Sequence, residues 1–159
     1  MELSLRKESE KLQKTTIPSL QTITRYWYFL DLKGKIFGRV APKIAELLRG
    51  KNRKDFIPNS DLGNYVVLVN AKHIIFSGDN KLENEKYRNH SGYPGGLRER
   101  TLREMLEKYP RELVFRIVKG MMPKTKLGNK QLTRLLIYPT NKHDQQAQEK
   151  NFVEIKNNW

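Results

Sequence analysis

Two apolar runs with strand character stand out in a chain that is otherwise largely polar. Residues 26–31 (YWYFLD) and 65–70 (YVVLVN) are rich in aromatic and β-branched residues and lack alternation with polar ones, which is typical of strands covered on both faces. Between them, apolar residues recur at a helical period from Phe37 to Leu48, and Gly50 follows where a C-terminal cap belongs. The pattern predicts a strand, a tight turn, a helix and a second, central strand.

Weaker signals predict further elements after the second strand. Residues 73–77 (HIIFS) form a short strand-like run. The sequence Thr101-Leu-Arg-Glu104 is a capping box, which predicts the start of a short helix. Pro110 then suits the first position of a second, amphipathic helix.

Residues 131–134 are expected to turn helically before a last short strand at 135–138 (LLIY).

Both ends of the chain are polar. Residues 1–25 and the last nine residues contain too little apolar sequence to offset the entropy of ordering, so we expect them to lack fixed structure in the free protein. The prediction is one folded domain over 26–138, between an N-terminal extension and a C-terminal extension at 139–159.

Composition limits the class of protein. With 159 residues and 37% hydrophobic content, the chain fits one domain with a single core rather than two domains. It has no cysteine, and its three histidines show no metal-ligand spacing, so neither disulfides nor a metal site are expected. No apolar run approaches the roughly 18 residues of a membrane span. The first ten residues include three Glu and do not resemble a cleavable targeting signal.

Positive charge is concentrated in two blocks. The formal net charge is +14. Residues 33–55 carry eight Lys and Arg against two Asp and Glu, and residues 86–134 carry thirteen against four. Such blocks favour a polyanion-binding side, and neither is a basic amphipathic helix with an aromatic apolar face, so nucleic acid is favoured over a membrane surface.

The stretch at 86–100 (KYRNHSGYPGGLRER) combines positive charge with aromatic rings and glycine. Pro94 and Gly95 suit the central positions of a type II turn, because Gly95 accepts a positive φ. The flanking cations and aromatics suit RNA, which proteins bind through phosphates and through bases stacked on rings. The alternative is a glycine-rich hairpin turn whose aromatics pack locally.

The sequence shows no recognisable catalytic motif. It contains neither a Walker loop nor a Gly-x-Ser-x-Gly elbow. His90 and Ser91 could be drawn as a base and a nucleophile, which leaves a basic RNA-processing enzyme using His90 as the alternative function. A DNA-binding module is a third possibility, but no helix-turn-helix or zinc pattern supports it.

Several motifs in a fixed order resemble a known family. The family is the universal large-subunit ribosomal protein thirteen, in its bacterial or organellar form, and the resemblance extends from about Trp27 to Ile155. The motifs are Trp27-Tyr28, Gly38-Arg39, Leu48-Arg-Gly-Lys51, Gly63-Asn-Tyr65 through Asn70, His90-Ser-Gly-Tyr-Pro-Gly-Gly96, Lys119-Gly-Met-Met-Pro-Lys124 and Leu127-Gly128. Departures are Met122-Pro-Lys-Thr125, within a second basic loop that is predicted at 120–128, and His143-Asp144 near the C-terminus.

The resemblance implies both a fold and a role. The fold is a single three-layer α/β/α domain with a small, mostly parallel or mixed sheet, long basic loops and extended termini. The role is that of a structural protein without catalysis or cofactor, which binds large-subunit ribosomal RNA early in assembly and contacts neighbouring ribosomal proteins. No membrane or small-molecule partner is implied. Residues 73–78 and 97–102 look more like mitochondrial than plastid members, which favours the mitochondrial matrix, with the bacterial cytoplasm as the alternative.

The predicted RNA-binding residues come from two sources. Those that the family motifs carry over are Arg39, Lys51, Tyr87, His90, Tyr93, Gly95, Gly96, Lys119, Lys124 and Gly128. Those that the two charge blocks and the 86–100 stretch add are Lys43, Arg53, Lys54, Lys86, Arg88, Ser91, Arg98, Lys126, Lys130 and Arg134.

Overall fold

The computed structural model describes residues 23–78 and 80–155. The strands are β1 Trp27–Asp31, β2 Tyr65–Val69, β3 Lys86–His90, β4 Leu97–Thr101, β5 Leu135–Ile137 and β6 Phe152–Glu154. The helices are α1 Phe37–Arg49, α2 Lys81–Asn84, α3 Leu102–Lys108, α4 Pro110–Met121 and α5 Lys126–Leu132. The prediction of unfixed structure for the first 22 residues and the last four lies outside the described residues.

A parallel sheet in the order β5-β2-β1-β6 forms the centre of the molecule. Strand β1 pairs with β2 in the register Trp27↔Tyr65 and with β6 in the register Trp27↔Phe152. Strands β1 and β2 are the two inner strands, as expected from apolar runs without polar alternation. The parallel sheet with interleaved helices confirms the predicted α/β class.

The main core lies between the sheet and helices α1 and α4. Phe37 and Ile44 of α1 and Val114 and Val118 of α4 are almost completely buried in it. Helix α1 ends as predicted at Gly50, which takes a φ of 76°. The backbone N–H of Gly50 donates to the carbonyl of Leu47 over 3.1 Å, so the last turn of the helix is closed by a left-handed cap.

The opposite face of the sheet carries an aromatic cluster. Trp27 stacks on Tyr65 with ring centroids 4.3 Å apart, and Phe29 stacks on Phe152 at 5.4 Å. His143 packs edge-on against Phe29 at 5.7 Å. The prediction that residues 151–159 lack fixed structure is therefore wrong for Phe152–Glu154, because the Phe152 ring is held in this cluster and its strand pairs with β1. The sheet thus continues beyond residue 138.

Local capping signals predicted the starts of α3 and α4 correctly. The Thr101 hydroxyl accepts a hydrogen bond from the Glu104 N–H over 3.3 Å and begins α3. Pro110 is the first residue of α4. The run at 135–138 forms the edge strand β5. The predicted helical turn at 131–134 starts earlier, at Lys126, because Thr125 caps α5 by accepting from the Gly128 N–H.

The predicted strand at 73–77 is wrong. Asn70 takes a left-handed backbone conformation with φ 59°, which turns the chain into a 3₁₀ turn at Ala71–His73. Only Ile75 then makes an isolated bridge, to Ile36. The short helix α2 follows and was not predicted, because its polar sequence has no apolar stripe.

Candidate nucleic-acid interface

The stretch at 86–100 forms a β-hairpin that is separate from the main sheet. Strands β3 and β4 pair antiparallel, and no other strand pairs with them among the described residues. Gly96 donates its N–H to the carbonyl of Tyr93 over 2.9 Å, and Gly95 takes a φ of 70°, as a type II turn requires. Tyr93 at the tip is 77% exposed. The hairpin alternative was therefore right about the backbone, whereas the Tyr93 ring does not pack locally.

One face of the hairpin carries its own neutralising carboxylate. Glu99 accepts a hydrogen bond from the Arg88 Nε over 2.7 Å and lies 3.4 Å from the Lys86 Nζ. The hydrogen bond and charge of Arg88, followed by those of Lys86, hold the pKa of Glu99 below its usual range. We call this face, formed by Lys86, Arg88 and Glu99, the outer face. Its cations are partly compensated, so it is a weaker anion-binding surface than the sequence suggests.

The other face forms the wall of a small pocket. Tyr87 lies opposite Arg100 and Asn89 lies opposite Arg98 across the hairpin, so all four side chains share one face. With Arg116 of α4 they line a cavity of about 250 Å³, which we call the inner pocket. Burial, followed by the charge of Glu85, raises the pKa of Tyr87. The Tyr87 hydroxyl is therefore protonated at neutral pH and can donate a hydrogen bond.

The predicted RNA-binding residues omit four residues that line this pocket, namely Asn89, Arg100, Met105 and Arg116. Asn89 and Arg100 could have been found by applying the two-residue period of a strand on both sides of the turn. Arg116 could not, because it comes from a helix 27 residues after Asn89, to which its Nη2 donates over 2.7 Å. The predicted residue His90 serves the turn, since its Nδ1 accepts from the Gly92 N–H over 3.0 Å.

The first charge block is divided between the two ends of α1. Arg39 is exposed near the beginning of α1, where Phe37 and Gly38 line a cleft together with Tyr87 of the hairpin. Lys51 and Lys54 are exposed beyond the other end. A helix of 13 residues is about 20 Å long. The basic residues of this block therefore belong to two separate surfaces.

Two predicted residues of the first block are engaged within the protein. Arg53 donates from Nε and Nη2 to the two carboxylate oxygens of Asp55, each over 3.0 Å, and from Nη1 to the carbonyl of Thr24 over 2.7 Å. Lys43 lies on the exposed side of α1, 3.5 Å from Glu46. Arg53 thus ties the segment before β1 to the loop after α1, and only part of its charge faces outward.

The second basic loop is shorter than predicted and is tightly packed at one point. Lys119, Lys124, Lys126 and Lys130 are all exposed. Gly128 is buried, and a Cβ atom at this position would collide with the carbonyl oxygen of Pro123. This close backbone approach explains why glycine is required at position 128 of the Leu127-Gly128 motif.

The structure corrects the prediction for Arg134. Its side chain is only 6% exposed and forms a bidentate pair with Asp61, in which Nη1 lies 2.8 Å from Oδ1 and Nη2 contacts Oδ2. Arg25 lies 3.4 Å and Lys130 3.9 Å from the same carboxylate. The Asp61 carboxylate compensates the charge of the buried Arg134 guanidinium. Arg134 is therefore not part of an exposed RNA-binding surface.

The Asp61 carboxylate is held in its charged form. Burial alone would raise its pKa, but the hydrogen bond from Arg134 and the charges of Arg134, Arg25 and Lys130 outweigh that effect and keep the pKa below its ordinary value. This cluster joins the loop before β2 to the residues that lead into β5. It also places Lys130 at the same end of α1 as Lys51, because Gly50 and Leu62 are in direct backbone contact there.

The described residues contain no group of three or more His, Cys, Asp or Glu that could hold a metal ion. No helix within 23–78 or 80–155 is long and apolar enough to cross a membrane.

Comparison with known proteins identifies the family. The model of the family described as Ribosomal protein L13 matches residues 25–144. The chain belongs to the ribosomal protein L13 family. The resemblance noted in the sequence is confirmed, and L13 proteins are structural ribosomal proteins rather than enzymes. The alternative of an RNA-processing enzyme using His90 receives no support.

Bacterial L13 proteins match most of the chain. It is 43% identical over 144 residues to the large ribosomal subunit protein uL13 of Thermotoga petrophila, covering 91% of this chain and 96% of that one. The uL13 protein of Ureaplasma urealyticum is 45% identical over 132 residues, which is 83% of this chain and 88% of the relative. That of Rubrobacter xylanophilus is 46% identical over 134 residues, with coverages of 84% and 93%.

Proposed function

We propose that this L13 protein is a structural constituent of the large ribosomal subunit and binds large-subunit ribosomal RNA. The observation that carries the proposal is the identity of 43–46% over most of the chain to proteins named large ribosomal subunit protein uL13. Exposed cations in loops, rather than a catalytic constellation, are the chemistry that such a role needs, because phosphate contacts position a protein on RNA.

The arrangement of these cations supports two RNA-binding surfaces, one at each end of α1. The first combines the hairpin with Arg39 and is completed by Lys119 in the last turn of α4, because Met121 of that turn lines the same cleft as Gly38 and Tyr87. The second combines Lys51 and Lys54 with Lys130. A separation of about 20 Å lets one small domain contact RNA at two places, which fits a protein that joins RNA segments early in assembly. Neighbouring large-subunit ribosomal proteins are the other proposed partners.

The compartment stays a prediction. The mitochondrial ribosome is supported only by the sequences at 73–78 and 97–102. The relatives compared above are bacterial, which favours neither an organelle nor a bacterial cytoplasm. Fractionation of cells followed by immunodetection in organellar and cytoplasmic ribosomes decides between them.

Filter binding to the large-subunit and small-subunit ribosomal RNAs of the same ribosome tests the proposed function. We expect large-subunit RNA to be bound at least about tenfold more tightly than small-subunit RNA, which corresponds to about 1.4 kcal/mol. The double variant Lys51→Ala/Lys54→Ala should weaken binding to the large-subunit RNA. The matched control Lys142→Ala/Lys150→Ala removes the same charge from exposed residues outside both surfaces and should bind like the parent. Equal affinity of the parent for both RNAs would contradict the proposal.

A further inference from the structure

The inner pocket differs from the other basic surfaces because it is partly enclosed. It lies between the hairpin and helices α3 and α4, and its volume of about 250 Å³ is below the range of about 300–1,000 Å³ that is typical of drug-sized ligand sites. A double helix cannot enter such a space, whereas a single projecting group can. Its lining residues are Tyr87, Asn89, His90, Ser91, Gly96, Arg98, Arg100, Met105 and Arg116.

Positive charge converges on this pocket without an equal number of carboxylates. Among the described residues, no carboxylate lies within ion-pair distance of Arg98 or Arg100. Arg116 is partly compensated, because its Nη2 contacts Glu112 Oε1 at 3.3 Å as well as Asn89. None of the residues that line the pocket is acidic. The pocket is therefore suited to an anion.

The remaining pocket atoms suit a base or a sugar. Asn89 accepts a hydrogen bond from Arg116 through Oδ1. This contact orients the side-chain amide, whose nitrogen can then donate to a base edge. The Tyr87 ring is half buried beneath the Arg116 guanidinium, whose carbon lies 5.6 Å from the ring centroid. Rings, guanidinium planes and amides are the groups with which proteins recognise unpaired bases in RNA.

Resting on the RNA-binding function proposed above, we propose that the inner pocket takes one unpaired nucleotide of the RNA, with its phosphate between Arg98 and Arg100 and its base beside Asn89. The pocket thereby selects a bulged or looped-out position. The exposed lysines of the other surfaces contact phosphates irrespective of base pairing, because an ammonium group acts as a point charge. The hairpin then determines where on the RNA the domain sits.

Paired RNA probes test this assignment. The probes are a blunt-ended RNA duplex and the same duplex with a single bulged A, C, G or U. For the parent protein we expect at least one bulged duplex to bind about tenfold more tightly than the blunt one. Arg98→Gln and Arg100→Gln should each abolish this preference, so that the bulged and blunt duplexes are bound with equal affinity.

Arg103→Gln is the matched control. It removes the same charge from the neighbouring helix α3, where Arg103 pairs with Glu83 at 3.1 Å, and it should keep the bulge preference. Using two pocket variants guards against a folding defect, because Arg100 also packs over Tyr109 at 4.5 Å whereas Arg98 has no such contact among the described residues.

Three results would overturn the nucleotide assignment. The first is a parent protein that binds no bulged duplex more tightly than the blunt duplex. The second is a preference that survives in both pocket variants, and the third is a preference that is lost equally in Arg103→Gln. None of these results affects the proposed function so long as the parent still prefers large-subunit over small-subunit ribosomal RNA, so the two proposals fail separately.

Discussion

At the residue scale, the buried ion pair between Arg134 and Asp61 removes one cation from those available to a ligand. Arg134 and Asp61 are 73 residues apart in sequence, and no local pattern indicates that they meet. Sequence analysis could count the positive charges but could not subtract those used inside the protein, because such pairs depend on the tertiary fold. By contrast, Gly95 was assigned correctly, since a Pro-Gly turn is a local property.

Replacing Asp61 by Asn tests the role of the buried cluster. The change leaves Arg134 buried without its charge partner, so we expect the free energy of unfolding in urea to fall by about 3–5 kcal/mol at neutral pH. The control Glu107→Gln, at an exposed carboxylate on α3, should change it by less than about 0.5 kcal/mol.

The destabilisation caused by Asp61→Asn should also depend on pH. Because the pKa of Asp61 is lowered by folding, its contribution is fully present above the ordinary carboxyl value of 3.8 and is lost as the pH falls further, toward the folded-state pKa. The difference in unfolding free energy between parent and Asp61→Asn should therefore shrink in that acidic range. A difference that stays constant down to the lowest pH at which the parent is folded would refute this assignment.

At the element scale, predictions succeeded where a local signal determines the structure. Thr101 and Pro110 both mark helix starts through short-range geometry. Strands β3, β4 and β6 were missed as strands, because β3 and β4 are polar and β6 has only three residues. Strands β3 and β4 are stabilised by pairing with each other, and β6 by pairing with β1, whose Phe29 ring stacks on Phe152.

Gly95→Val tests the hairpin as an RNA-binding element. Space is not limiting, since no atom lies within 4 Å of an added Cβ, but the φ of 70° is unfavourable for a β-branched residue, with a cost of about 1–3 kcal/mol. The turn lies outside the core, so the melting temperature should change little. Affinity for large-subunit ribosomal RNA should fall about tenfold for each 1.4 kcal/mol lost. A variant that melts much lower but binds normally while folded would show that the turn serves architecture.

At the scale of the whole molecule, the two charge blocks of the sequence do not correspond to two surfaces. Helix α1 separates Arg39 from Lys51, and Lys130 of the second block joins Lys51 at the far end. The charge count along the chain predicted an RNA-binding side. It could not predict that the cations are divided between the two ends of α1, because that division depends on the tertiary path of the loop before β2.

The salt dependence of RNA binding tests how many of these cations contact phosphate. If about six phosphates are neutralised, the logarithm of affinity should fall with the logarithm of salt concentration at a slope of about −4 to −6. Lys51→Ala/Lys54→Ala should reduce the magnitude of the slope by about 1 for each lysine. Adding Arg53→Ala should change it little further, since Arg53 is bonded to Asp55 and Thr24. A slope near zero for the parent would rule out phosphate contacts as the source of affinity.

Co-sedimentation with ribosomal subunits tests the central claim most directly. Subunits from cells that express the tagged full-length protein are separated on a sucrose gradient after a high-salt wash, and the protein is quantified in each fraction. A structural constituent held by both RNA-binding surfaces should remain with the large subunit in stoichiometric amount. Recovery mainly at the top of the gradient, or with the small subunit, would contradict the account.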